Sequence, residues 1–283
     1  MFFKALLLTT GVCLTVACDA PTAKTIAAQP AAPASTAVKT AEAADLLSDA
    51  TAEVVKPASG PNAAYNAFLA KYITTENGIN LVKYGQVTPQ DKASLGGYID
   101  ALSLAGEPAG SKEEIMAYWF NLYNAKTVDL ILENYPLESI RDIKRPWKAK
   151  RLTVAGTAMS LNDIEHGTVR ARYNEPRVHY AFNCASIGCP NLKTSAWEAK
   201  TLDADLSQAA RDYIGHARGV SVTSTGRINA SKIFNWYKKD FGNNEQDLLN
   251  HFAKYASGER LKAIRANKNI GKFTYDWSLN GAP

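Results

Sequence analysis

The 283-residue sequence contains few of the residues from which metal centres and disulfide frameworks are built, with only four cysteines and four histidines. It has no P-loop, no dinucleotide-binding glycine pattern, no paired CxxC motif and no internal repeat. The histidines and cysteines also fit none of the standard zinc spacings. We therefore expect neither a nucleotide cofactor nor a metal ion.

Clustered basic charge is also missing. The formal net charge is +5, and the lysines and arginines are scattered and usually neighbour an acidic residue. A nucleic-acid-binding face needs basic residues gathered on one surface, so no nucleic-acid partner is expected. Since 46% of the residues are apolar, the chain can bury a sizeable core.

The first 17 residues have the pattern of an export signal. Lys4 supplies the positive charge, an apolar run follows, and small residues precede Cys18. The run is too short to span a bilayer as a stable helix. Leu14 to Cys18 resembles a bacterial lipobox, although Thr15 stands where Leu is usual. Two outcomes stay open, lipidation of Cys18 with anchoring in the membrane, and ordinary signal cleavage.

Residues 18–61 are rich in Ala, Pro, Thr and Lys and almost free of aromatic residues. Such a composition cannot bury enough surface to offset the entropy of ordering, so we expect a disordered tether. Residues 62–283 form the predicted globular domain. This organisation predicts a protein of the bacterial cell envelope, on the periplasmic side. Cys184 and Cys189, the two cysteines of that domain, would then lie in an oxidising compartment.

The clearest helix begins with a capping box formed by Ser111 and Glu114. The apolar residues that follow cover most of its circumference, which is typical of a buried helix. Asn121 and Asn124 share one face of it, as polar support inside the core or as residues that orient a site. Predicted hairpins and further helices complete an α+β domain with a buried central helix and a small, mostly antiparallel sheet.

Reactive residues concentrate in the segment from Arg177 to Pro190, which reads RVHYAFNCASIGCP. Alternation of apolar and other residues from Val178 to Asn183 predicts a strand. The small residues after it predict a loop. A His, an Asn and two Cys at the end of a strand make this the expected functional site.

Three roles of the two cysteines remain open. Cys184 and Cys189 could form a structural disulfide, since a short loop containing Gly188 lets the chain fold back. Cys184 could instead be a nucleophile, which needs a nearby base to lower its pKa. A metal site formed by His166, His179 and one or both of the cysteines is the third alternative.

The choice of base depends on geometry. Along an extended strand, a separation of five positions from His179 to Cys184 spans roughly 16 Å and places the two side chains on opposite faces. His166 is therefore the less constrained base, and Glu165 is placed to orient His179. Asn183 is the remaining candidate of the site. His216 and His251, among surface-like polar residues, are assigned no role.

Several blocks together resemble one known family, domain of unknown function 547 (DUF547). The first three are Trp119 to Ala125, Ser160 to His166 and His179 to Pro190. The C-terminal pattern comprises Ser231, Ile233, Phe234, Trp236, Tyr237, Asp240, Phe241 and Tyr275 to Asn280. The resemblance extends over residues 62–280. Asn162 and Gly167 depart from the second block at positions expected to vary.

This resemblance implies a fold and a cysteine-bearing motif but no assigned substrate. Some features are similar to papain-like or transglutaminase-like cysteine enzymes, by analogy only. We therefore expect a cysteine-dependent hydrolase or acyl transferase that acts on an amide-type bond of a small molecule or peptide. The alternative is a non-catalytic envelope scaffold or binding protein in which Cys184 and Cys189 form a structural disulfide.

Overall fold

The computed structural model describes residues 60–283. The predicted export signal, almost all of the predicted tether and Cys18 lie outside the described residues. The helices of the described part are α1 (Ala63–Tyr72), α2 (Pro89–Ala105), α3 (Lys112–Asn134), α4 (Arg170–Arg172), α5 (Leu202–Gly215), α6 (Lys232–Trp236), α7 (Lys238–Phe241), α8 (Glu245–Tyr255) and α9 (Gly258–Ala266). None of them is both long and apolar enough to cross a membrane.

The strands form three small sheets instead of one. They are β1 (Ile73–Glu76), β2 (Ile79–Val82), β3 (Leu152–Val154), β4 (Thr157–Met159), β5 (Val220–Val222), β6 (Ile228–Ser231) and β7 (Phe273–Thr274). Strands β1 and β2 pair antiparallel, as do β3 and β4 and also β5 and β6, whereas β7 joins β6 in parallel. The predicted α+β class with mostly antiparallel pairing is confirmed, with the strand content divided among hairpins.

Helix α3 is the buried central helix that the sequence predicts. Its capping box is formed, since the Ser111 backbone N–H donates to Glu114 Oε2 at 2.7 Å and the Glu114 N–H donates to Ser111 Oγ at 3.2 Å. Sixteen of its 23 residues are buried. Each large apolar side chain removed from water contributes about 1.5–3 kcal/mol, so packing rather than intrinsic propensity stabilises this helix.

Two apolar clusters make up the core. The first surrounds α3, and the second lies among α5, α6 and α8. The segment after Pro176 joins them, because Val178 and Phe182 pack in the first cluster and Tyr180 packs in the second. The reactive segment is therefore held from both sides by the core.

The predicted strand from Val178 to Asn183 is wrong. Residues Pro176–Tyr180 form a short 3₁₀ helix. Pro176 fixes its own φ in the helical range, and Glu175 caps the turn by accepting a hydrogen bond from the Arg177 N–H at 3.1 Å. His179 and its neighbours on both sides are all buried, so the polar–apolar alternation does not mark an exposed face. Without that strand, the argument that His179 lies roughly 16 Å from Cys184 no longer holds.

Two further segments shape the site. Residues Asp163–Val169 form a helix with π geometry, a form often found at functional sites. Strand β7 is only two residues long, and the chain after it runs along the cysteine loop. There the Ile187 and Gly188 N–H groups donate to the carbonyls of Ser278 and Asp276, both at 2.8 Å.

Candidate active site

A cavity of about 270 Å³ lies beside Cys184. Of the residues that the sequence singles out, Glu165, His166, His179, Cys184 and Cys189 all line it. The other lining residues are Tyr123, Trp147, Asn162, Phe182, Ile233, Trp236, Tyr237, Tyr275 and Trp277. The fold thus brings the π segment, the 3₁₀ turn and the cysteine loop to one place.

The loop that carries Cys184 is fixed by two asparagines. The Asn183 side chain accepts a hydrogen bond from the Ala185 N–H at 2.9 Å and donates to the Pro190 carbonyl at 2.8 Å. Ala185 has a φ of 57°, a left-handed conformation that is unfavourable for a residue with a Cβ. Asn124 on α3 accepts from the Asn183 N–H at 2.9 Å and donates to the Ala181 carbonyl at 2.8 Å. These amides hold a sharp turn just after the cysteine.

Asn121, one turn earlier on α3, has a different partner. Its amide donates to the Trp197 carbonyl at 2.9 Å and accepts from the Trp197 N–H at 2.8 Å. Asn183 does not line the cavity but shapes the loop from behind. Asn124 therefore supports the cysteine loop, whereas Asn121 ties the central helix to another segment.

The C-terminal segment approaches this loop closely at Gly188. A Cβ at that position would lie 2.7 Å from the Asp276 carbonyl oxygen and 2.8 Å from its nitrogen. Any other residue would push the two backbones apart. Gly188 thus permits the contact that brings Tyr275 to the cysteine.

Three groups surround the Cys184 sulfur. Its Sγ lies 3.1 Å from Ser186 Oγ, 3.0 Å from the Tyr275 hydroxyl and 3.0 Å from Cys189 Sγ. Hydrogen bonds to the thiolate, first from Cys189 and then from the two hydroxyls, lower the pKa of Cys184 against the opposing effect of burial. The thiolate is the nucleophilic form of cysteine, so this arrangement favours reactivity.

Cys189 is the buried partner of the pair. It is 3% exposed, and its sulfur also accepts the Cys184 backbone N–H at 3.0 Å. Burial, together with the neighbouring Cys184 sulfur, raises the pKa of Cys189 well above its usual value. Both cysteines are free thiols in this structure. The pair thus divides into an ionisable Cys184 and a neutral Cys189 that donates to it.

His179 is held by Asp240 on α7. Its Nε2 lies 2.6 Å from Asp240 Oδ2, and the same carboxylate accepts two hydrogen bonds from the Arg170 guanidinium at 2.6 and 3.0 Å. These partners hold the pKa of Asp240 well below its usual range against the effect of burial. A carboxylate can only accept, so Nε2 carries the proton and Nδ1 of neutral His179 is left as an acceptor. Burial lowers the pKa of His179, which favours this neutral form.

His166 has the opposite arrangement. Arg170 donates to its Nδ1 at 2.8 Å, and a guanidinium has no acceptor. The proton of neutral His166 therefore sits on Nε2. Burial, and after it the charge of Arg170, lowers the pKa of His166 to about 4. His166 is thus a neutral hydrogen-bond donor at the cavity, and Arg170 fixes its protonation pattern as Asp240 fixes that of His179.

Glu165 is a buried carboxyl at the same cavity. Burial raises its pKa to about 7, and Tyr123 donates a hydrogen bond to its Oε2 at 3.3 Å. The sequence suggested that Glu165 orients His179, but Asp240 occupies that position. A carboxyl with a pKa near neutrality is half protonated at pH 7 and can give or take a proton.

Sequence reasoning gave no role to several residues that complete the site. These are Ser186, which lies inside the cysteine motif, Arg170, which follows the π segment, and Tyr237, Asp240 and Tyr275 in the C-terminal pattern. The C-terminal motif pattern, which contains Asp240 and Tyr275, was the available signal in the sequence. That pattern does not show that Asp240 pairs with His179 or that Tyr275 contacts Cys184.

The two remaining histidines lie away from this cavity. The interpretation of His251 as a surface residue is wrong, because its ring is 4% exposed and its Nε2 pairs with the Tyr180 hydroxyl at 2.7 Å inside the second core cluster. His216 lines a separate, larger cavity of about 580 Å³ that contains no cysteine. Within residues 60–283 no three His, Cys, Asp or Glu side chains are grouped as metal ligands.

Comparison with known protein families gives a match over part of the chain. Residues 109–214 match the family described as "Protein of unknown function, DUF547". No curated protein and no solved structure matches the chain. The matched residues include α3, the π segment and the cysteine loop, whereas Asp240 and Tyr275 lie beyond them. Over residues 109–214 the chain is therefore similar to the DUF547 family.

Proposed function

We propose that the protein is a cysteine-dependent hydrolase or acyl transferase that acts on an amide-type bond. The observation that carries this proposal is the position of Cys184, which lines a cavity together with His179, and His179 is in turn paired with Asp240. A nucleophile, a base and a group that orients the base are the parts that acyl transfer needs.

His179 acts as the base in this proposal. Its Nδ1 takes the thiol proton as the Cys184 sulfur bonds to the carbonyl carbon of the substrate. The tetrahedral intermediate then breaks its C–N bond, and the imidazolium returns the proton to the leaving amine. Water or an acceptor nucleophile attacks the thioester and gives its proton to His179. The C–S bond then breaks, which releases the acid or the transferred acyl product, and the imidazolium returns its proton to the Cys184 sulfur to restore the thiol.

His166 and Asn162 serve the carbonyl oxygen. Arg170 leaves Nε2–H of His166 as a donor, and the Asn162 side chain lines the same cavity. Donors aimed at the developing oxyanion stabilise the transition state, and loss of one such donor typically costs about 10²–10³-fold in rate. Glu165, with its pKa near 7, is a second group in this cavity that can carry a proton.

The test is acylation of the full chain by an activated ester such as p-nitrophenyl acetate. We expect release of nitrophenolate above the uncatalysed rate and, in peptide maps of quenched samples, an acetyl group on Cys184. Cys184→Ala should abolish both, whereas the matched variant Cys189→Ala should retain acylation at a lower rate, because it loses one donor to the thiolate. Equal turnover by wild type and Cys184→Ala would overturn the proposal.

A non-catalytic scaffold is the second candidate, favoured by the 3.0 Å between the Cys184 and Cys189 sulfurs. Oxidised glutathione would convert the two thiols to a disulfide and yield two molecules of reduced glutathione. Mass analysis after alkylation distinguishes the two candidates. A scaffold would be isolated from an oxidising compartment with the bond complete and resistant to mild reductant. An enzyme would yield two alkylated cysteines, or a bond that mild reductant removes with recovery of activity.

We further propose an envelope location, with the domain on the periplasmic side and a lipid on Cys18. The export-signal pattern and the lipobox-like Leu14 to Cys18 support it. Expression with labelled fatty acid followed by fractionation tests this location. Label in the membrane fraction that is lost in Cys18→Ala is expected, and a soluble, unlabelled protein that begins at Cys18 would contradict lipidation.

A further inference from the structure

Four aromatic side chains form one side of the cavity beside Cys184. We call Trp147, Trp236, Tyr275 and Trp277 the aromatic wall. Trp277 lies at its centre. The centre of the Trp277 ring is 4.6 Å from that of Tyr275, 5.6 Å from that of Trp236 and 5.7 Å from that of Trp147. The ring centres of Trp236 and Tyr275 are 4.9 Å apart. The four rings thus form a continuous apolar surface.

Part of this wall is open to solvent. Trp236 is 45% exposed, which makes it one of few large apolar side chains exposed in residues 60–283. Aromatic side chains release much free energy when they are covered, and an exposed one inside a concave site is a typical ligand contact. The wall therefore offers area that a bound group would cover.

The wall begins at the nucleophile. The Tyr275 hydroxyl lies 3.0 Å from Cys184 Sγ, and its ring continues into Trp277 and Trp236. A group in contact with the wall is thus the part of the substrate next to the bond that Cys184 attacks. The cavity of about 270 Å³ has room for a ring-sized group beside Cys184.

One face of the wall already carries a cation. The Arg141 guanidinium lies 5.4 Å from the Trp277 ring centre. A second cation stacked on Trp277 would be repelled by this guanidinium, so an uncharged ring is the better match to that face.

We infer that the aromatic wall is the subsite for a flat, uncharged aromatic ring on the acyl side of the substrate. This inference rests on the proposed function, because the wall is placed relative to Cys184 as nucleophile. A planar ring stacks on indole faces, which a puckered aliphatic ring of similar volume does less well.

The experiment compares kcat/KM for p-nitrophenyl acetate, phenylacetate and cyclohexylacetate. The wild type should prefer the phenylacetyl ester over both others by roughly 3- to 10-fold, the range expected for one aromatic contact. Trp236→Leu should remove this preference, which is measured as the ratio of kcat/KM between the phenylacetyl and cyclohexylacetyl esters of the same variant. Tyr135→Leu, at an aromatic residue of similar exposure outside the cavity, should keep it. Equal preference in the wild type and Trp236→Leu would overturn the inference.

A binding experiment tests the subsite even if the proposed enzymatic function fails. If no ester is turned over, Cys184→Ser protein is titrated with phenylacetamide, cyclohexylacetamide and N-acetylglucosamine while tryptophan fluorescence is recorded. Saturable quenching by phenylacetamide alone, weakened by Trp236→Leu, keeps the subsite although the enzyme is lost. No saturable quenching, or tighter binding of the sugar, overturns it.

Discussion

His179 and Asp240, 61 residues apart in the chain, meet with Nε2 of the imidazole 2.6 Å from Oδ2 of the carboxylate. Arg170 donates to the same carboxylate and to Nδ1 of His166. Asp240 thus leaves His179 as an acceptor at Nδ1, and Arg170 leaves His166 as a donor at Nε2. Two histidines on one cavity acquire opposite hydrogen-bonding roles.

Asp240→Asn should impair turnover strongly. An amide can offer its NH₂ group to Nε2, which favours the wrong tautomer of His179 and removes the base. We expect a loss of roughly 10²–10⁴-fold in kcat, measured with p-nitrophenyl acetate. Asp100→Asn, at an exposed position on α2, is the matched control and should change nothing. Retention of full activity by Asp240→Asn would show that His179 does not need this carboxylate.

Tyr275→Phe should make the Cys184 thiol harder to ionise. The substitution removes the hydroxyl 3.0 Å from Cys184 Sγ but keeps the ring. We expect the pKa of Cys184 to rise, so that iodoacetamide alkylation at neutral pH slows and its pH profile moves to higher pH. Tyr118→Phe, whose hydroxyl bonds to the Leu102 carbonyl, is the control. Superimposable alkylation profiles for Tyr275→Phe and wild type would exclude a role of this hydroxyl.

Glu165 should make the domain less stable as pH rises through the acid range. Its pKa is about 7 in the folded state against an ordinary value of 4.5, so between those values the folded state binds more protons. The free energy of unfolding therefore falls with rising pH, by roughly 3 kcal/mol for this group. Burial lowers the pKa of His166 and of His251 to about 4, and these groups act in the opposite direction over about pH 4–6.5.

The contribution of Glu165 is isolated by comparing wild type with Glu165→Gln. Urea unfolding at a series of pH values measures both proteins. Relative to the variant, the wild type should lose stability from about pH 4.5 to 7 and then level off. A constant difference across this range would mean that Glu165 titrates normally.

Asn121→Ala and Asn124→Ala should separate stability from reactivity. Each substitution leaves buried backbone groups without partners, so each should lower the free energy of unfolding by about 1–3 kcal/mol. Only Asn124 bonds to Asn183, next to Cys184. Slower alkylation of Cys184 is therefore expected in Asn124→Ala and not in Asn121→Ala. An equal effect of both variants on alkylation would indicate general loosening of the domain.

The central helix and the cysteine loop could be predicted because their signals are local. Ser111, Glu114 and the apolar residues of α3 lie within one stretch, and Cys184 to Pro190 has a turn composition. The segment around His179 was wrongly predicted as a strand. Pro176 and the cap from Glu175 favour a 3₁₀ helix, and the alternation of polar and apolar residues does not separate a buried face from an exposed one, because both kinds of residue are buried.

Contacts between residues far apart in the sequence limited how much of the site could be predicted. Glu165, His166, His179 and Cys184 were found by residue type, and they do line one cavity. Their partners were not found, because Asp240 and Tyr275 reach them only through the packing of α7 and of the C-terminal segment. The role of His179 as a base depends on its pairing with Asp240. The role of His166 as a hydrogen-bond donor depends in the same way on Arg170.

The most direct test is the rate at which an activated ester acylates Cys184, followed by rapid quench and intact mass. Wild type and His179→Gln are compared across pH 5–9, with far-UV circular dichroism confirming that both are folded. The account predicts one acyl group on Cys184 in the wild type and a rate at least about 10²-fold lower in His179→Gln near neutral pH. Equal rates in the two proteins, or an acyl group on any residue other than Cys184, would contradict it.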